Sequence, residues 1–150
     1  MTVLVECFAD EALVRALGVG RREILHAGDR GRVCNKMRKG SRLTGLVDED
    51  PGGPTPGYLD ELALIEESGD MRVLEDKSRG NKLIVLRPRL EEWILEAARE
   101  ADLDWNALGL ASSPSLFRKM IATRPGRIAE VVRSIGGKSR RLSKLERQIG

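Results

Sequence analysis

Short apolar runs of strand length alternate along this chain with stretches whose apolar residues recur at helical spacing. That alternation limits the fold more than any other feature. TVLV (2–5) is a β-branched run of buried-strand length, and Glu6 follows it at once. DEALVRALGVG then places Leu13, Val14 and Leu17 on one helical face, with Asp10 near its start and Gly18 and Gly20 at its end. EILHAG (23–28) reads as a second strand entering a Gly-bearing turn, Arg30 to Lys39 as a helix, and RLTGLVD (42–48) as a third strand. YLDELALIEES (58–68) has helical spacing through Leu59, Leu62 and Ile65. MRVLED (71–76) and KLIVLRP (82–88) make a fourth and fifth strand around the polar turn DKSRGN. Pro88 opens a helix with Leu90, Trp93, Ile94 and Ala97 on one face. From Trp105 onward the pattern is of short helices, punctuated by Pro114, Pro125–Gly126 and Gly136–Gly137.

This order predicts an α/β fold: a mostly parallel sheet covered by helices over 1–102, then a helical, basic extension over 103–150 packed on it or continuous with it. Ligands of such sheets bind at the carboxyl ends of the strands. Glu6 and Asp48 both stand immediately after or at the end of a strand. If those two strands are neighbours, the two carboxylates meet at one edge.

Charge is unevenly distributed. The net charge is only +3, yet the segment from Arg118 to Arg147 is strongly basic and that from Asp48 to Asp76 is acidic. An acidic centre with a basic tail suits a phosphate polymer held by the tail, with Arg118, Lys119, Arg140 and Arg141 as the contacts; a solvated helical face is the alternative. Asp29-Arg30-Gly31 could add a guanidinium and backbone amides, or be a plain turn. Aromatics make up 3% of the chain, which argues against an array of base-stacking rings. Cys7 and Cys34 are too few for a disulfide framework and point to a reduced, cytoplasmic setting. No apolar run approaches membrane-spanning length, so no membrane partner is expected.

At LTGLVDEDPGG (43–53) three consecutive carboxylates follow an apolar run. Like charges so placed need either open water or a cation. Asp48-x-Asp50 past a strand offers hard oxygen ligands of the kind Mg²⁺ takes, one or two at a time with waters completing its shell.

The succession of strand–Glu6, the turn at Gly28 and strand–Asp48-x-Asp50 resembles the Toprim domain shared by topoisomerases, primases, recombination proteins and OLD-family nucleases. VECFADEAL, with Glu6 and Asp10 four apart, RPRLEEWIL with Glu91 or Glu92, and GGKSRR with Lys138 look closest to the OLD-like branch. The likeness covers about residues 2–100. It implies Mg²⁺ or Mn²⁺, one or two ions, with Glu6, Asp48 and Asp50 on the first and Asp10 and Glu91 helping to hold a second. It further implies Glu6 as acid or base, Lys138 near the scissile phosphate, and phosphodiester chemistry on nucleic acid in phage defence or DNA repair. Where the family has Gly directly after its first Glu, this chain has Cys7. Full-length OLD proteins carry an N-terminal ATPase domain that this sequence lacks; whether a partner ATPase takes its place, and whether the protein oligomerises, the sequence leaves open.

Two rivals follow from the same residues. One is a non-catalytic scaffold that binds nucleic acid or a partner. The other is a phosphohydrolase of small nucleotides that works without its basic tail. His26 reads as a structural or turn residue, and Cys7, beside Glu6, as a thiol too poorly ionised to be a nucleophile.

Overall fold

The computed structural model describes residues 1–110 and 113–150. Six strands form one mixed sheet: β1 (Thr2–Val5), β2 (Ile24–His26), β3 (Leu43–Asp48), β4 (Ala63–Glu67), β5 (Met71–Asp76) and β6 (Asn81–Leu86). Their spatial order is β2-β1-β3-β6-β5-β4. β2, β1, β3 and β6 run parallel, while β5 is antiparallel to both β6 and β4. Around the sheet stand α1 (Phe8–Ala16), α2 (Arg30–Lys39), α3 (Leu90–Glu100), α4 (Pro114–Thr123), α5 (Arg127–Ile135) and α6 (Arg140–Ile149). The expected mostly parallel α/β sheet is present. The extension expected over 103–150 includes 111–112, which lie outside the described residues.

The period-two alternation of the strands sorts the core into two layers. Val3 and Val5 of β1, Leu46 of β3, and Ile84 and Leu86 of β6 face a large cluster built with α1 and α3–α6. Leu4, Val47, Leu83 and Val85 face the other way, onto Val33, Cys34 and Met37 of α2 and onto Tyr58. The C-terminal helices are integral to the first layer. Phe117, Ile121, Ile128, Val131, Leu142 and Leu145 pack with Trp93, Ile94 and Ala97 of α3. Each fully buried Leu, Ile or Phe contributes roughly 1.5–3 kcal/mol, so burial is the larger part of what holds the extension.

One element differs in kind from the sequence expectation. Residues 58–68, read as a helix, are a 3-10 turn (Gly57–Glu61) followed by the edge strand β4. The Leu59, Leu62, Ile65 spacing is shared between the two. Tyr58 anchors the turn, buried, with its hydroxyl donating to Asp76 Oδ2 (2.7 Å) and accepting from Asn81 Nδ2 (3.1 Å). β4 lies at the rim of the sheet with Leu64 and Ile65 exposed, so no burial face imposed a strand alternation there. The sheet therefore has six strands rather than five. Among the described residues, no helix is long and apolar enough to cross a membrane.

Candidate functional site: a carboxylate cluster at the strand ends

β1 and β3 are parallel neighbours, with Val5 opposite Leu46. The chain leaves β1 at Glu6 and β3 at Asp48, so both residues emerge at the same carboxyl edge. Glu6 Oε2 accepts the Asp48 N–H at 3.0 Å, joining the two strand ends directly. β6, on the other side of β3, feeds α3. The Leu90 N–H at the start of that helix donates to Asp48 Oδ1 (3.1 Å). Asp48 thus supplies, from another strand, the cap that Arg89 at the helix's own N-cap position does not give. The same contact brings Glu91, in the first turn of α3, to the cluster.

Asp10 arrives from α1. Cys7 is the N-cap, and Asp10 Oδ2 accepts both the Cys7 N–H (3.2 Å) and the Cys7 thiol (3.1 Å). This reciprocal cap fixes the Asp10 carboxylate below the surface. The residue is 2% exposed, and its Oδ1 is buried with no hydrogen-bond partner. A buried carboxylate oxygen left unpaired is costly.

The electrostatics follow from this convergence. Burial pushes the Asp48 carboxyl up to about 8, and the Asp10, Glu6 and Glu91 carboxylates push it the same way, against the pull of the Leu90 N–H. Glu6 is pushed up to about 7 by burial and by Asp10, while the Asp48 N–H and Arg30 oppose the rise. Asp10 is pushed up to about 6, again by burial first, with Glu91 adding to it and the Cys7 hydrogen bonds resisting. Three strand-end or helix-start carboxylates therefore hold protons more tightly than usual, through burial first and mutual repulsion second, with Arg30 at Glu6 and His26 at Asp10 only partly offsetting the rise. Desolvation beside α1 and the Asp10 carboxylate drive the thiol of the exposed Cys7 up to about 12, in line with a thiol too poorly ionised to be a nucleophile.

The DED triplet divides three ways. Asp48 points into the cluster. Glu49 pairs with Arg87 Nε at 2.7 Å. Asp50, in a left-handed backbone conformation (φ 47°), turns to Arg89 at 3.2 Å and stays exposed. Asp50 makes no hydrogen bond to Glu6 or Asp48, though it lines the same cavity as Glu6. The missed signal lay downstream: Arg87 and Arg89 flank Pro88 and neutralise the last two acids of the triplet, Glu49 and Asp50.

Other expected site residues are spread more widely. Arg30 donates to the carbonyls of Glu49 and Pro54, so it clamps the 49–54 loop beside a cavity of about 460 Å³ lined by Glu6, Asp29, Gly31 and Asp50. Arg118 borders a second cavity with Cys7 and Glu91, and it pairs with Glu92 at 3.2 Å. Lys119 is exposed on α4. Lys138 is not at the cluster. It precedes Ser139, whose hydroxyl bonds Glu100, and Glu100 ends α3 about 14 Å along the axis from Glu91. Arg140 is exposed at the same remote end. Arg141 binds Glu100 (2.9 Å) and Asp70 (3.8 Å) and covers the Trp93 ring with its side chain 14% exposed, so it is a structural residue rather than a phosphate contact. His26 is paired with Glu11 and packs on Phe8, the structural role its position suggested.

The donor set suits a hard divalent cation. It consists of carboxylate oxygens: Glu6 lines the first cavity, Glu91 the second, and Asp10 Oδ1 is buried and unpartnered. Among the described residues no three Asp, Glu, His or Cys side chains enclose an ion as they stand; Mg²⁺ needs only one or two protein carboxylates, with waters filling the rest of its shell. Comparison of the chain with family models, with curated proteins and with solved structures finds no match.

Proposed function

We propose that this protein performs divalent-metal-dependent phosphodiester chemistry on nucleic acid, as a Toprim-like protein of the OLD-like kind. The observation that carries the reading is the convergence of Glu6, Asp10, Asp48 and Glu91 at one sheet edge, where burial first and mutual repulsion second raise the proton affinity of the first three. Protons satisfy such a cluster weakly at pH 7; a divalent cation satisfies it in full.

Asp48 and Glu6 are the residues that would hold Mg²⁺ or Mn²⁺, with Asp10 and Glu91 behind them. A bound ion would supply Lewis-acid stabilisation of charge on a phosphodiester oxygen. The protein's own contribution is orientation and proton transfer. The Leu90 N–H fixes the Asp48 carboxylate, and the Asp48 N–H fixes Glu6. With a single ion on Asp48, Glu6, held beside it by the Asp48 N–H, is placed to take a proton from an attacking water or give one to a leaving oxygen. Arg118, on the rim beside Glu91, supplies positive charge to a phosphate there. Lys138 has no part in this scheme.

The test is incubation of purified protein with supercoiled plasmid, single-stranded DNA and RNA in Mg²⁺, Mn²⁺ or EDTA, alongside Asp48→Asn and Glu6→Gln. Metal-dependent cleavage reduced at least about 100-fold in both variants is expected. Cleavage that persists in EDTA, or is indifferent to both substitutions, would overturn the proposal.

A further inference from the structure

Three cavities of about 300, 320 and 320 Å³ adjoin along the outer side of α1, where the turn between α4 and α5 comes closest. The first, at the carboxylate cluster, is lined by Cys7, Phe8, Glu91 and Arg118. It shares Phe8 and Pro125 with the second, and the second shares Ala12, Arg15 and Gly126 with the third. Together they make one groove leading away from the cluster. Its floor is small and apolar: Ala9, Ala12 and Ala16 on one side, Ala122, Gly126 and Ala129 on the other.

Its rim is basic. Arg15 and Arg21 line the middle, and Arg133 the far end, all exposed. The nearby acids already have partners: Glu11 with His26, Glu92 with Arg118 and Glu130 with Arg127. Arg15, Arg21 and Arg133 are left without an acidic partner among the described residues. At the groove mouth Phe8 is 69% exposed, one side of its ring tilted against His26 at 4.5 Å between centroids. A large aromatic held in water by its neighbour, next to unpaired guanidinium groups, offers a base-stacking surface beside phosphate contacts.

We infer that this groove is the track for a single-stranded polynucleotide, which it delivers to the carboxylate cluster. The span from Phe8 to Arg15 is about 10 Å, or roughly three phosphates at stacked spacing. A duplex keeps its base faces stacked and has no use for Phe8, whereas a single strand can lay one unstacked base on it. One ring at the mouth agrees with a chain poor in aromatics. The inference rests on the nucleic-acid reading above and names the strand form and path.

The test is fluorescence anisotropy with a labelled oligonucleotide of roughly 12 nucleotides in EDTA, between about 50 and 200 mM salt. Phe8→Ala should weaken binding about 5- to 150-fold. The double variant Arg15→Ala/Arg133→Ala should lower the slope of log affinity against log salt by about 1.4. Lys36→Ala/Lys39→Ala removes the same charge from α2, on the opposite face of the sheet, and should change neither; circular dichroism checks that each variant is folded. Asp48→Asn should bind normally, so metal-dependent cleavage and strand binding can fail separately. Affinity unchanged in both groove variants would overturn the inference. So would a blunt duplex bound as tightly without dependence on Phe8, or an acidic peptide that displaces the strand and binds more tightly.

Discussion

Replacing Asp48 with Asn should stabilise the metal-free protein at pH 8 and leave its stability unchanged near pH 4. The amide keeps the oxygen that accepts the Leu90 N–H at 3.1 Å and removes only the capacity to ionise. Folding raises this carboxyl from its ordinary 3.8 to about 8, chiefly through burial and then through Asp10, Glu6 and Glu91. A carboxyl shifted in this direction costs nothing while both states are protonated. From about pH 4 upward the unfolded chain ionises first, and the wild type loses stability until pH 8, where the folded carboxyl ionises too. At about 1.4 kcal/mol per pH unit, the full span from 3.8 to about 8 corresponds to roughly 6 kcal/mol. Asp48, Glu6 and Asp10 exchange protons among themselves, so part of the relief reappears elsewhere, and a gain of about 2–4 kcal/mol is expected. Urea unfolding followed by Trp fluorescence in EDTA at pH 4, 6 and 8 reads it, provided the m-value is unchanged. A variant less stable than wild type at pH 8, or one shifted equally at pH 4, would refute the reasoning.

Three further outcomes follow from packing. Tyr58→Phe removes the hydroxyl that donates to Asp76 and should cost about 1–3 kcal/mol in urea unfolding without affecting cleavage. Burial opposes ionisation of Asp76, but hydrogen bonds from Tyr58, Arg79 and Ser78 outweigh it and hold the carboxyl well below its usual range, so this loss should shrink as pH falls below about 4. Gly45→Ala should cost about 1–3 kcal/mol by overpacking, because its Cβ would stand 2.6 Å from Met37 Sδ and 2.9 Å from Leu83 Cδ1. Arg141→Ala should lose about 1–3 kcal/mol through its bonds to Glu100 while leaving oligonucleotide affinity unchanged; a loss of affinity would restore the tail as a nucleic-acid contact.

The parts of the fold legible in the sequence were those in which one local pattern decides the outcome. TVLV, Arg30 to Lys39 and MRVLED became β1, α2 and β5 at the residues read from them, because apolar runs and helical spacing there matched the final burial. β4 was misread because an exposed edge strand buries neither face, and Leu59, Leu62 and Ile65 mimic a helical stripe. At the site, Glu6 and Asp48 were legible because a parallel sheet sends every strand end to one edge. The orientation of Asp50 was not, since it depends on a left-handed residue and on Arg89, 39 positions away. The basic tail misled for a related reason. Arg141 and Lys144 meet Asp70, Glu66 and Glu100, acids far upstream whose proximity only the fold creates.

The central claim is that the carboxylates at the ends of β1 and β3 take a divalent cation. The most direct measurement is isothermal titration of the purified protein with Mg²⁺ and Mn²⁺ at pH 7 in buffers of different ionisation enthalpy, for wild type and Asp48→Asn. The account predicts saturable binding accompanied by release of roughly one to one and a half protons per ion, because Glu6 and Asp48 titrate near 7 and 8 and must give up protons to the metal. It predicts that binding is abolished in Asp48→Asn. Heats without saturation in the wild type, or binding that Asp48→Asn leaves intact, would contradict it.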